Sequence, residues 1–295
     1  MNTTSSKFFN PKTCIQIGLV TNVALTGFKF LAGIMGLSKA MIADALHSLS
    51  DILTSLVVYA GICIGEQPAD KDHPYGHGNA ETIAAVLVSL IILGIGGYAG
   101  VLAVRAIVRG EFVAPLNIAL FAAVISIIIK EALFRYTIKV GEISNNPAVI
   151  ADAWHHRSDA YSSIAALIGI AGAKVSFLYL DPLAALVVSI LIAKIAFKLI
   201  RENIGIMMDE KPQAAFVANI RAIARDSQGV IRIDNIKVHR RGSTFTIDLE
   251  IAVDGSISVD EGHRIASEVR NRLRKKIRNI RDVMVHINPS KTKKK

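Results

Sequence analysis

Two short stretches of the chain, ADALHSLSD (Ala43–Asp51) and ADAWHHRSD (Ala151–Asp159), repeat one pattern, A-D-A-x-H-x-x-S-D. On an α-helix, side chains four residues apart share a face. His47 is therefore paired with Asp51, and His155 with Asp159. Two such pairs on facing helices supply two imidazole nitrogens and two carboxylates, enough to surround one tetrahedral divalent ion, and Zn²⁺ suits that set. Asp44 and Asp152 stand nearer the helix starts. They read either as auxiliary carboxylates at the entrance to the site or as satisfied interhelical hydrogen bonders or snorkelling end residues, since a carboxylate there also suits a helix N-terminus. His156 and Arg157 point elsewhere on the helix and are left out of the set.

A second constellation lies in QPADKDHPYGHGNAE, residues 67–81, where Asp70, His73 and His77 follow an i, i+3, i+7 spacing shaped by Pro74, Gly76 and Gly78. Turns can converge such residues on a metal. The alternative is a polar turn with solvated histidines. Further on, Asp234, His239, Asp248, His263 and His286 are scattered, and spacing alone does not promote them above surface polar residues.

The elements that must hold these groups are apolar. Of the 295 residues 52% are hydrophobic, and the mean hydropathy is +0.43. Both lie above a soluble composition. Apolar runs begin near Cys14, Lys39, Thr82, Ala114, Ser162 and Pro182. Each, with its flanks, can cross about 30 Å of hydrocarbon as a helix, so six spans are expected. The first run is too long and too Gly-punctuated for a cleaved signal peptide. Ionisable groups at bilayer depth are costly, about 2.5–3.5 kcal/mol each on insertion scales, and normally mark an ion or proton path.

The organisation expected is a six-helix transmembrane domain over 1–207, a soluble domain over 208–290 and a basic tail at 291–295. In the soluble part, QAAFVANIRAIAR reads as a helix started by Pro212. IRIDNIKVHRR and FTIDLEIAVD read as a hairpin around Gly242-Ser243, followed by a helix from Val259 to Ile277 and a last strand, DVMVHIN. The order α-β-β-α-β makes a small α+β sandwich, regulatory or dimerising by its size.

An even number of spans puts both termini on one side. Lys7, Lys12, Arg135, Lys139, Lys198 and Arg201 outweigh Lys39, Arg105, Arg109 and Lys174 only slightly, and the basic tail decides for cytoplasmic termini. The net charge of +10 concentrates near the C-terminus. Behind membrane spans it suits solvent or anionic lipid, so no nucleic-acid partner is expected. Cys14 and Cys63 are isolated, which excludes a disulfide framework and a thiolate zinc site.

A membrane metalloenzyme is disfavoured, because H-E-x-x-H is missing and four protein ligands leave no position for water. Tight tetrahedral coordination also makes a poor channel. A carrier remains, with a membrane metal-sensing scaffold, binding Zn²⁺, Fe²⁺ or Mn²⁺ without moving it, as the alternative. In a carrier, metal binding releases protons, so the two can be exchanged by alternating access.

ADALHSLSD, QPADKDHPYGHGNAE, ADAWHHRSD and the α-β-β-α-β tail together resemble the cation diffusion facilitator family, in order and over nearly the whole chain. The resemblance implies a homodimeric divalent-metal exporter of a bacterial inner membrane. Each subunit would carry six transmembrane helices and a cytoplasmic ferredoxin-like, metallochaperone-like domain, and would exchange Zn²⁺ or a related ion for protons. It implies a transport site of His47, Asp51, His155 and Asp159 and a loop site of Asp70, His73 and His77. His47, where several bacterial relatives carry Asp, resembles the zinc-preferring branch and favours Zn²⁺ over Cd²⁺. In the cytoplasmic site His263 and His286 fall on ligand positions. Asp234 and Asp248 replace histidines there, and Asn288 stands where a carboxylate can occur, which leaves Mn²⁺, Fe²⁺ or Co²⁺ open. Asn79 replaces a loop lysine that relatives pair with an aspartate after the sixth helix, here Asp209.

Overall fold

The computed structural model describes residues 10–290 except Glu66, Asn145 and Ser243. Lys7, the hairpin position Ser243 and the basic tail 291–295 lie outside the described residues. Six long helices come first: α1 (Pro11–Met35), α2 (Lys39–Gly65), α3 (Asn79–Arg109), α4 (Asn117–Ile143), α5 (Pro147–Lys174) and α6 (Leu180–Met207). An α/β segment follows: α7 (Ala214–Arg225), β1 (Arg232–Arg241), β2 (Thr244–Asp254), α8 (Val259–Lys276) and β3 (Ile280–Ser290). The chain divides into two compact units, one of residues 1–57 and 87–199, the other of 58–86 and 200–295.

The first unit is a helical membrane domain. Among the described residues α1, α2, α3, α4 and α6 are long and apolar enough to cross a bilayer. The expectation of six such helices is met by five on composition. The exception is α5, long enough at 28 residues but interrupted by Asp152, His155, His156, Arg157 and Asp159. The helices pack on small residues, with Ala32, Ala40, Ala119, Ala122, Ala123 and Ala166 fully buried around Met41 and Ile170. Larger apolar chains such as Leu31, Ile34, Phe121 and Ile128 face outward. That inversion of a soluble core is what helices in lipid need.

The repeated motif belongs to a larger repeated unit, the helix–turn–helix α1–α2 and its counterpart α4–α5. Ser38 N–H donates to the Gly33 carbonyl and Asn146 N–H to the Gly141 carbonyl, both at 3.0 Å. Ile42 N–H donates to the Ser38 carbonyl and Ile150 N–H to the Asn146 carbonyl, both at 3.2 Å. The Ser38 hydroxyl caps α2 through Met41 N–H (3.0 Å), and the Asn146 amide oxygen receives Val149 N–H (3.4 Å). A Cβ on either Gly33 or Gly141 would stand 3.0 Å from the backbone nitrogen of Ile42 or Ile150, so glycine is what lets each turn close. Every one of these pairs keeps the sequence separation of Asp44 and Asp152. Asp181, at the start of α6, accepts from the Ser38 hydroxyl (2.6 Å) and Lys39 N–H (2.7 Å), which ties α6 to the first turn.

In the second unit β2 is the central strand, antiparallel to β1 and parallel to β3. The tight β1–β2 turn uses Gly242 at φ +57°, a left-handed conformation that glycine adopts freely. The parallel pairing requires a crossover, and α8 supplies it. Ser258 caps α8 by accepting Glu261 N–H at 3.2 Å. Asp260 and Glu261 open that helix and Arg274, Lys275 and Lys276 close it, the order its dipole favours. Ile247, Leu249 and Ile251 of β2 pack against Ile220 and Ile223 of α7 and Ile265, Val269 and Leu273 of α8.

Candidate metal sites

His47 and Asp51 are brought onto one face of α2 by their four-residue spacing, and Asp159 stands opposite on α5. One ligand atom from each of the three lies within 4.8 Å of the others, a spacing that a single divalent ion can bridge. Asp51 Oδ2 is buried and has no hydrogen-bond partner. A carboxylate oxygen left unpaired in an apolar interior is strongly destabilised unless a cation reaches it.

His155 is placed differently. Its Nε2 is 3.8 Å from Asp159 Oδ1, and its side chain is 50% exposed. Of the expected quartet, the structure brings His47, Asp51 and Asp159 together and leaves His155 at the rim.

Sequence reasoning missed Lys130. It lies near the middle of α4, 2% exposed, with Nζ 2.5 Å from Asp159 Oδ2, and it also donates to Asn22 Oδ1 of α1 at 2.8 Å. The available signal was a lysine inside the apolar run AVISIIIKEALF, which must find an anion if it is to stay there.

Asp44 is not at an entrance. It is fully buried, with Oδ2 2.7 Å from Lys29 Nζ of α1. Lys29 also donates to Ser48 and Ser163 at 3.1 and 2.9 Å, and Ser162 and Ser163 donate to the two Asp44 oxygens at 2.8 Å each. All its partners are internal, so Asp44 holds α1, α2 and α5 together. Asp152 is half-buried, 3.6 Å from His156 Nε2. His156, set aside from helix phase, is buried and packs against α1 at Gly18. Arg157 stacks over Phe134 at 4.5 Å.

The second unit holds the loop constellation. Asp70, His73 and His77 also present one ligand atom each within 4.8 Å of the others. Asp70 Oδ1 accepts His73 N–H at 2.6 Å and Asp72 N–H at 3.0 Å. The His73 hydrogen bond is the main cause that holds the Asp70 carboxyl below the usual carboxylate range. The two imidazoles stack with centroids 4.3 Å apart. The Arg241 guanidinium lies 4.8 Å from the Tyr75 ring centre, so the same loop rests on the hairpin.

The tail residues do not converge as one group. Asp234 is engaged by Arg232 (2.6 Å) and Asn288 (3.0 Å), and the Arg232 hydrogen bond leads in holding its carboxyl below the ordinary range. Asp248 and His286 line one shallow cavity with Lys237, Glu250 and Met284. His263, on α8, is exposed. His239 Nδ1 is 2.9 Å from Asp209 and its Nε2 3.3 Å from Asp248, so Asp209 has a histidine partner.

Residues 15–208 match the family description "Cation efflux transmembrane domain", and residues 212–290 match "Cation efflux protein, cytoplasmic domain". The manganese efflux system protein MneP of Bacillus subtilis is 35% identical over 280 residues, spanning 92% of this chain and 94% of that protein. The magnetosome protein MamB of Magnetospira sp. strain QH-2 is 35% identical over 268 residues, 91% of this chain and 92% of that one. Metal tolerance protein C1 of Arabidopsis thaliana is 33% identical over 290 residues, 93% of this chain and 62% of that one. Among solved structures, a manganese form of the MamM C-terminal domain aligns over 26% of this chain and 96% of its own, at 25% identity and a TM-score of 0.25.

Proposed function

The chain belongs to the cation efflux, or cation diffusion facilitator, family of divalent-metal transporters, and from that premise we propose that it exports a first-row divalent cation in exchange for protons. The observation that carries this reading is the convergence of His47, Asp51 and Asp159 between two helices, with one buried carboxylate oxygen unpartnered. To bind metal, His47 must be neutral and both carboxylates ionised. Binding therefore expels protons, and protons arriving from the far side expel the metal. Reorientation of the helices about the site, with α5 crossing the bilayer as a sixth span, would make the exchange vectorial.

Zn²⁺ is the substrate if His155 swings in from the rim to complete two imidazoles and two carboxylates. Mn²⁺ is the second reading. One imidazole and two carboxylates are a harder set, and the relative MneP is named for manganese efflux. The loop triad Asp70, His73 and His77 binds a further ion, and Asp248 with His286 is the cytoplasmic pair best placed to take one. Matching a domain described as cytoplasmic supports a cytoplasmic C-terminus. We place the protein as a homodimer in a bacterial inner membrane.

The test is uptake of Zn²⁺, Mn²⁺, Fe²⁺, Co²⁺ and Cd²⁺ into proteoliposomes under an imposed pH gradient, for the native chain, Asp51→Asn and His155→Ala. Gradient-driven uptake lost in Asp51→Asn is the expected result. Selective loss of Zn²⁺ uptake in His155→Ala favours the four-ligand zinc site, and Mn²⁺ uptake that survives it favours the three-ligand reading. Metal binding without movement in the native chain would make the protein a sensing scaffold.

A further inference from the structure

The ammonium of Lys130 lies against one of the candidate ligands, Asp159, and both side chains are buried within the helical domain. We propose that Lys130 is a tethered counter-ion that stands in for the transported metal when the carrier is empty and is displaced when the metal binds. The proposal rests on the reading of His47, Asp51 and Asp159 as the transport site.

Three observations carry it. First, Lys130 Nζ is 2.5 Å from Asp159 Oδ2, with the two side chains 2% and 3% exposed. No solvent competes for that oxygen, so an ion that takes it must move the ammonium. Second, Lys130 has a holding point that is not a candidate ligand, the Asn22 amide oxygen at 2.8 Å. Third, Ser126 lies one turn before Lys130 on α4 and its hydroxyl is buried without a partner. A lysine on a helix leans over the turn that precedes it, so the ammonium can rotate off Asp159 toward Ser126 while Asn22 retains it. The position it leaves is at the corner of the three-ligand cluster.

The exchange solves a charge problem. Once the metal has left and before protons have taken its place, Asp51 and Asp159 would face each other as two anions at bilayer depth, which is unfavourable and would slow the return limb of the proton exchange. With Lys130 on Asp159 the empty site keeps a single net negative charge. When the ion enters it brings two positive charges as Lys130 withdraws one. The apparent metal affinity is correspondingly the intrinsic affinity multiplied by the fraction of molecules in which the lysine has already vacated the carboxylate.

The experiment uses the full chain in lipid nanodiscs with His73, His77 and His286 replaced by alanine, so that calorimetric titration with Zn²⁺ and with Mn²⁺ reports the intramembrane site. Lys130→Gln should lower Kd by about tenfold or more, as expected if the lysine occupies Asp159 in at least nine molecules in ten. Lys130→Arg should raise it, because a forked guanidinium grips a carboxylate in two places. A Kd unchanged or raised in Lys130→Gln overturns the proposal. So does a lowered Kd in Lys130→Arg, which also decides the matter if the glutamine variant fails to fold. In proteoliposomes Lys130→Gln should retain metal–metal exchange and lose net efflux, whereas equal loss of both would mark a merely structural lysine. If the native chain binds metal and moves none, the transport reading fails, while the titration still decides whether Lys130 competes with the ion.

Discussion

Replacing Lys29 with methionine should destabilise the protein by about 3–5 kcal/mol, the range for stranding one member of a buried ion pair. The lysine and Asp44 are both 0% exposed and 2.7 Å apart, so neither gains water when its partner is removed. Three serine hydroxyls complete the network: Ser48 and Ser163 accept from Lys29, and Ser162 and Ser163 donate to Asp44. Lys29→Met therefore leaves a carboxylate with only two neutral donors. Asp44→Asn leaves an ammonium with only neutral acceptors and should cost a similar amount. The double variant removes both charges, and its asparagine amide oxygen can still accept from a serine. Its cost should fall below the sum of the single variants by about 2–3 kcal/mol, the upper range for contacting residues in one network. The assay is a double-mutant cycle on equilibrium unfolding in mixed micelles. Single variants that each cost less than about 1 kcal/mol, the value of an exposed pair, would refute the reasoning. A strictly additive cycle would do the same.

The duplicated turns should respond alike to one substitution. Gly33→Ala and Gly141→Ala each drive a Cβ to 3.0 Å from a backbone nitrogen and should each lose about 1–3 kcal/mol. Gly94→Ala, which meets nothing within 4 Å, should be neutral or stabilising by up to about 1 kcal/mol. A thermal-shift series reads all three, and an unaffected Gly141→Ala would contradict the close approach. In the loop, the lowered Asp70 carboxyl implies order that is complete above the ordinary aspartate pKa of about 3.9. That order is lost only as pH falls through the lower native value, so exchange protection of the His73 amide should persist at pH 5. Loss of protection at that pH would place the hydrogen bond to Asp70 in doubt.

Much of this was legible before any coordinates. The α-β-β-α-β order could be read from period and turn residues, because β2 alternates cleanly and Gly242 marks the hairpin. The pairs His47–Asp51 and His155–Asp159 could be read because a four-residue spacing fixes a helix face. What spacing cannot give is rotation of one helix against another. That is why spacing leaves Asp44 open between an entrance carboxylate and an interhelical hydrogen bonder until α1 presents Lys29 to it, and why His155 falls at the rim. Counting spans by apolar run also sits uneasily with α5, whose first half spends its length on five ionisable side chains. Lys29 and Lys130 were overlooked because a long apolar run draws attention to its hydropathy and away from the one residue that contradicts it. A lysine at membrane depth is itself a prediction of a buried anion nearby.

The two lysines show how a symmetric scaffold acquires a direction. The repeated turns make α1–α2 and α4–α5 near-copies, yet the charges on them are not copies. Lys130 occupies the position equivalent to Asn22, and the two touch at 2.8 Å. Lys29 occupies the position equivalent to Thr137, which is buried and receives the Cys14 thiol at 3.6 Å. In the first copy the lysine neutralises Asp44, outside the cluster, and every group around the pair is satisfied, so that contact has no reason to break. In the second copy the lysine neutralises Asp159, a member of the cluster, and an unpartnered hydroxyl lies one turn away. One ion pair is built to hold and the other to exchange. The repeated frame lets His47, Asp51 and Asp159 meet, and the unequal placement of two positive charges leaves the Asp51 oxygen as the buried carboxylate atom of that cluster without a partner.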